Sequence, residues 1–228
     1  MISADHSAPR GETCPPLRKD AERNRERIIA AARQAYAESG LDVSMAEVAR
    51  RAGVGIATLF RRFPTREDLI DAVFADRMDA YLNTVTAALD DPDPWKGFTG
   101  YLTAICGMQA ADRGVADLLT MTFPTAKALE AKRRCAYDGL VLLIDSAKQT
   151  GRLRLDFTPE DVVIILMANA GVISATGQAA PDAWRRLVGY LLQSFAIQNP
   201  DPLPPAPTPT ALYRAMLQCG RAPHPDIH

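Results

Sequence analysis

Apolar positions in this chain recur at the helical period from end to end of its central region. Ile28, Ala32, Ala35 and Tyr36 share one face of a segment running from about Asp20 to Ser39, and Gly40 is placed to stop it. Short helices are predicted at 45–51 and 55–62. A longer one starts after Thr65, with Glu67 and Asp68 at its positive dipole end. Its stripe is Leu69, Ile70, Val73, Phe74, Met78, Tyr81, Leu82 and Val85. Further helices are expected at about 94–110, 113–120 and 125–150, the last ended by Gly151. Thr158-Pro159-Glu160-Asp161 is a strong start signal for a helix to about Thr176, and a final one covers about 181–198. There is no Asn-Gly or Asp-Gly hairpin signal and no sustained alternation of period two. The pattern predicts an all-α chain of about nine helices.

Both ends break the pattern. Residues 1–20 are polar and rich in Pro, Gly and Ser, and read as an arm. Residues 199–209 are dense in proline, which excludes helix or central strand there, and Ala211–Leu217 offers a short helical stretch beyond them. With 47% apolar residues in 228, the chain has ample material for a core. Val162–Gly177 is the nearest approach to a membrane span, but it is too short and is interrupted by Asn169, Ser174 and Thr176. The first residues lack the apolar stretch of a signal peptide, so a soluble cytoplasmic protein with no membrane partner is expected. Cys14, Cys106, Cys135 and Cys219 show neither paired nor metal-ligand spacing and read as reduced thiols. His6, His224 and His228 lie near the ends, so no His-based dyad, triad or zinc site is expected in the core. No cofactor, metal or catalytic residue is anticipated.

Charge changes the picture. Residues 17–66 hold 11 Lys/Arg against 6 Asp/Glu, a net of +5; residues 67–228 hold 14 against 19, a net of −5. A chain of overall charge −1 has concentrated its positive charge in one small segment. That is the footprint of a module that meets a polyanion, although a solvated basic helix face has the same composition.

Spacing decides between them. Ser44-Met45-Ala46-Glu47 reads as a capping box, with Ser44 accepting the Glu47 amide and the Glu47 side chain reaching back. Val48 and Ala52 face inward, and Ala49 is small where a second helix must cross. Gly53 falls where a sharp turn needs positive φ, Val54 plugs that turn, and Leu59 and Phe63 anchor the next helix. This is the geometry of a helix-turn-helix. Its second helix would expose Gly55, Ile56, Ala57, Thr58, Phe60, Arg61 and Arg62. Gly55 and Ala57 make it thin enough to enter the major groove, and Arg61, Arg62 and Arg66 stand ready for phosphates.

Residues 22–72, and the run ATLFRRFPTREDL in particular, resemble the N-terminal domain of TetR/AcrR-family transcriptional regulators, with their Thr-Leu-Tyr-x-x-Phe-x-x-Lys-x-x-Leu signature. The resemblance implies phosphate contacts from Thr58, Phe60, Arg62 and Arg66, and base-edge contacts from Gly55, Ile56 and Ala57, with Arg61 as a candidate for guanine. Ser44, at the head of the first helix of the motif, joins the DNA-binding set. Phe60 replaces the usual tyrosine, so no hydroxyl is available to a phosphate there. Gly55 replaces a commoner Ser or Thr, and Arg66 a commoner Lys. The implied organisation is a flexible arm (1–20), a helix-turn-helix domain (21–66), a ligand-binding and dimerisation domain (67–198) and a proline-rich tail (199–228).

In the larger domain, 159–176 is apolar nearly all round, and 182–197 presents Trp184, Leu187, Val188, Leu191, Leu192 and Phe195. Two such helices at the end of a fold suggest burial against a partner. A helix-turn-helix also needs a two-fold mate to read half-sites about 34–36 Å apart. A homodimer through 159–176 and 181–198, bound to a palindromic operator, is therefore expected, and the resemblance implies the same four-helix arrangement. Trp95, Phe98, Tyr101, Leu102, Ile105, Met108, Leu119, Met121, Phe123 and Tyr137 would line a pocket for a small, mostly apolar effector, though ordinary core is an alternative for each. The function expected is a ligand-released repressor. The alternatives are a regulator of the same fold without an effector, and an α-helical enzyme with an incidental hairpin.

Overall fold

The computed structural model describes residues 16–122, 126–196 and 203–219. Among them are ten helices and no strand: α1 (Pro16–Ser39), α2 (Met45–Ala52), α3 (Ile56–Arg62), α4 (Arg66–Leu89), α5 (Pro94–Ala111), α6 (Arg113–Thr120), α7 (Lys127–Gln149), α8 (Pro159–Thr176), α9 (Ala183–Phe195) and α10 (Pro209–Cys219). The all-α expectation holds.

Local chemistry explains the boundaries. Gly40 takes φ 77° and its amide bonds Tyr36 O at 2.9 Å, ending α1. Thr65 and Asp68 form a reciprocal capping box at the start of α4: the Asp68 amide donates to Thr65 Oγ1 at 3.1 Å and the Thr65 amide to Asp68 Oδ2 at 3.0 Å. Asp93 and Asp112 cap α5 and α6 through their side chains. Thr158 donates its amide to Asp161 at 2.7 Å ahead of Pro159, the first residue of α8.

The tenth helix comes from the proline-dense segment. Thr208 Oγ1 accepts the Ala211 amide at 3.2 Å and Thr208 O the Leu212 amide at 3.0 Å, with Pro209 as the first helical residue. Proline is tolerated there because that N–H has no intrahelical acceptor. The helix is thus longer than the Ala211–Leu217 stretch read from the sequence.

α1, α2 and α3 pack as a small unit against the start of α4, and α4 then runs between α5 and α7 through the larger unit. α6 crosses back to touch α1. At that crossing a Cβ on Gly114 would come within 3.1 Å of the Tyr36 backbone and 2.9 Å of Phe74, so only glycine lets the helices lie flush. Asp117, one turn on, accepts the Leu41 amide at 2.8 Å, tying α6 to the link between α1 and α2. One continuous core joins both units, from Ile28 and Leu59 through Phe74 to Phe157 and Trp184.

Candidate nucleic-acid interface

The turn between α2 and α3 is fixed from both sides. Gly53 sits at φ 63° in the left-handed region, its amide bonding Arg50 O and the Val54 amide bonding Ala49 O, each at 3.1 Å. These two bonds form a Schellman closure that any side chain at 53 would strain. The Arg27 guanidinium also donates to Gly53 O at 3.4 Å, from α1. Leu59 and Phe63, both buried, hold α3 against the core.

Ser44 caps α2 by accepting the Glu47 amide at 3.2 Å. The other half of the expected box is absent: the Glu47 carboxylate is taken by Arg50 at 2.7 Å and Arg51 at 2.8 Å, and Arg51 also holds Glu38 at 2.6 Å. Two guanidiniums outcompete a single backbone N–H for one carboxylate. They hold the Glu47 carboxyl down at about 2, Arg50 contributing most. Net charge had counted Arg50 and Arg51 among the cations of the segment, but both have carboxylate partners.

The outward surface of α3 is what remains. Gly55, Ile56, Ala57, Phe60, Arg61 and Arg62 are exposed, Ile56 and Phe60 by 43% and 45%, and Thr58 is half-buried. A Cβ at Gly55 would meet open space. Neither Arg61 nor Arg62 enters an ion pair among the described residues. Arg66 differs: it is half-buried, lies 3.7 Å from Asp42, and sits beside the Tyr36 phenol, which burial pushes up to about 12 against the pull of that guanidinium. An exposed ridge of small and apolar side chains, flanked by uncompensated guanidiniums and held on a rigid two-helix corner, is a helix-turn-helix reading head.

The expected effector residues fall elsewhere than a single pocket. Trp95 and Phe98 join Phe157 and Phe195 in an aromatic chain with ring centroids 5.9, 5.3 and 4.9 Å apart. Leu102 and Ile105 are buried in the same core, Met108 packs at its edge, and Met121 is buried beyond α6. Tyr101 is buried with its hydroxyl 3.0 Å from that of Tyr81. Phe123 lies outside the described residues. A cavity of about 490 Å³ does open in the body, between α4, α6, α7, α8 and α10, and of the residues expected to line a pocket Leu119 and Tyr137 border it. Periodicity gave the inward faces but not which of them leave space between them. Two buried amides lie in the same core: Asn169 Nδ2 donates to Gln109 Oε1 at 2.9 Å and to Cys106 O at 3.2 Å, pinning α8 to α5. Burial pushes the neighbouring Cys106 thiol up to about 12, which leaves it unreactive.

Comparison with known proteins agrees with this geometry. Residues 28–73 match the model of bacterial regulatory proteins of the tetR family, and residues 93–193 that of the SbtR-like transcriptional regulator C-terminal domain. An HTH-type transcriptional regulator of Staphylococcus aureus is 34% identical over 76 residues, 33% of this chain and 41% of the relative. The chain thus matches about two fifths of the length of that curated relative. The hemolysin II regulator HlyIIR shares the fold with a TM-score of 0.56 at 16% identity, over 78% of this chain and 99% of that one. FadR of Bacillus halodurans does so with 0.53 at 18% identity, over 75% and 97%. The chain belongs to the tetR family of helix-turn-helix transcriptional regulators.

Proposed function

We propose that this protein is a homodimeric repressor that grips a palindromic operator with α3 of each protomer and releases it when a small molecule occupies the body. The observation that carries the reading is the outer surface of α3, where Arg61 and Arg62 border Ile56, Ala57 and Phe60 without ion-pair partners among the described residues. Arg62 and Thr58 would meet phosphates. Ile56 and Ala57 would read thymine methyls and groove shape, and Arg61 a guanine edge. Arg66 would add a weaker, shared charge, because Asp42 already draws on it. Cytoplasmic residence follows from contact with the genome.

Dimerisation is supported by α8. Ile164, Ala168, Gly171 and Ala175 are all exposed and fall at spacings of four, three and four, one continuous face. No charged residue lies between Asp161 and Thr176. α8 spans about 27 Å at 1.5 Å per residue, with a mean hydropathy of 1.3 and only 22% of it buried, so by length and composition it is also a membrane candidate. The fully buried Asn169, bonded into α5, and the small residues along the open face fit a second helix better than lipid.

Coupling to the effector has a short route. The Arg133 guanidinium, beside the cavity, donates to Met121 O and to Leu118 O at 2.7 Å, so α7 grips the end of α6. Asp117 on the same helix holds the Leu41 amide. A shift of α6 would therefore reach the reading head through one hydrogen bond and the flush contact at Gly114.

The test is binding of genomic fragments as a function of salt. The slope of log affinity should fall by about 0.9 for each phosphate contact removed, so Arg62→Ala should flatten it and leave sequence preference intact, whereas Ile56→Ala should alter preference. Affinity independent of salt would sink the reading.

A further inference from the structure

We propose that the 490 Å³ cavity is the effector site, that α10 is its lid, and that it takes an uncharged, mostly apolar molecule carrying one hydroxyl or carbonyl. The inference rests on the ligand-responsive reading above and specifies its chemistry.

The base of the cavity is apolar and comes from four helices: Met78 of α4, Leu119 of α6, Leu140 of α7, and Val162 and Leu166 of α8. Its cover is α10. Leu212 and Met216, four apart and so on one helix face, are buried over the opening, and Tyr213 stands beside them. Two buried apolar side chains that face open volume lack the dispersion contacts a filled core would give them. A ligand of matching shape restores those contacts and presses the lid down.

Among the described residues α10 has few other ties. Ahead of it the Leu203 amide donates to Asp156 Oδ2 at 3.2 Å, and Asp156 is itself clamped by the guanidinium of Arg154. That anchor sits upstream of the helix, which leaves the inner face of α10 to be fixed by what lies beneath it.

The polar lining sets the class of ligand. Glu130 and Glu160 are balanced by Arg133 and Arg134, and Arg133 is further engaged by Glu130 at 3.8 Å and by the two carbonyls of α6. No net charge is left to receive an ion. The Thr122 hydroxyl, on a residue only 6% exposed, lines the cavity and has no hydrogen-bond partner among the described residues. A buried hydroxyl without a partner calls for one from the occupant.

The experiment titrates the full chain with three probes of one shape: 2-naphthol, 2-methylnaphthalene and the anion 2-naphthoate. 2-Naphthol should bind about fivefold more tightly than 2-methylnaphthalene, the value of one added hydrogen bond, and 2-naphthoate should bind weakest. Thr122→Val, close to isosteric, should abolish the preference for 2-naphthol. Leu212→Ala and Met216→Ala, which trim the cover without burying a charge, should each weaken all three about tenfold. In the wild type, amide exchange over 209–218 should slow when 2-naphthol is bound. Equal binding by the α10 variants, or no change in exchange, overturns the lid; tightest binding of 2-naphthoate overturns the uncharged class; binding of none of the probes overturns the site. If 2-naphthol behaves as described but leaves DNA affinity unchanged, the site and lid stand and the ligand-responsive reading falls instead.

Discussion

Two helices of this chain leave apolar side chains in the open, and their borders set them apart. On α3, Phe60 adjoins Arg61 and Arg62, guanidiniums with no ion pair among the described residues, and Ile56 lies about a turn and a half before them. On α8, Ile164 shares its face with Ala168, Gly171 and Ala175, and the helix carries no charge past Asp161. On the proposed reading, exposed apolar surface would mark a contact in both places, and the charge beside it the kind of partner. A basic border suits a polyanion, whose grooves accept methyl and ring while its backbone takes the cations. A neutral border of small residues suits a copy of the same helix at close range.

The contrast breaks most visibly if α8 is made unable to meet its mate. A Cβ at Gly171 meets nothing within 4 Å, so Gly171→Glu should leave the protomer folded and remove only the interface. Sedimentation should then show monomer, and operator affinity should drop on the order of 100-fold as the second half-site contact stops being intramolecular. A Gly171→Glu dimer with full affinity would relocate the interface. Next in size is Arg61 with Arg62: replacing both with alanine should cost about tenfold or more in affinity at moderate salt and should leave the dimer intact. Ile56→Ala comes third, with about a fivefold change confined to operators carrying a thymine at its position, read by competition between sequences.

The smallest effect concerns the polar frame behind α3. The hydrogen bonds from Arg50 and Arg51 hold the Glu47 carboxyl down at about 2 in the folded chain, and unfolding returns it to the ordinary 4.5. A depressed folded value means its contribution is complete above 4.5 and is lost as pH falls toward 2. The wild type should therefore lose thermal stability more steeply than Glu47→Gln over that window, and the two should run parallel from pH 5 upward.

The reading head was largely legible because its geometry is forced by few residues with narrow options. Gly53 had to be left-handed, and Leu59 and Phe63 had to face inward once α3 began. The capping role of Glu47 was misjudged because the pattern shows a carboxylate three residues after Ser44 but not the two arginines that compete for it. The body was less legible for a different reason. Trp95, Phe98 and Ile105 have the composition of a pocket wall, and periodicity cannot tell a face that packs on Phe157 from one that faces a void. α10 had a signal that was overridden: Thr208-Pro209 repeats the Thr158-Pro159 start of α8, lacking only the acids that follow. Density of proline hid the one proline placed where a helix accepts it.

If an effector acts as proposed, α4 would give the arrangement its leverage. At 24 residues it is about 36 Å long, rooted among the cavity walls at Met78 and ending at the capping box of Thr65, directly behind the reading head. A tilt of about 5° pivoted at its far end would carry the near end by about 3 Å, close to the rise of one base pair. In a symmetric pair the two displacements are mirrored by the two-fold axis and add along the duplex, so a motion too small to disturb the core would be enough to put the two heads out of step with the groove.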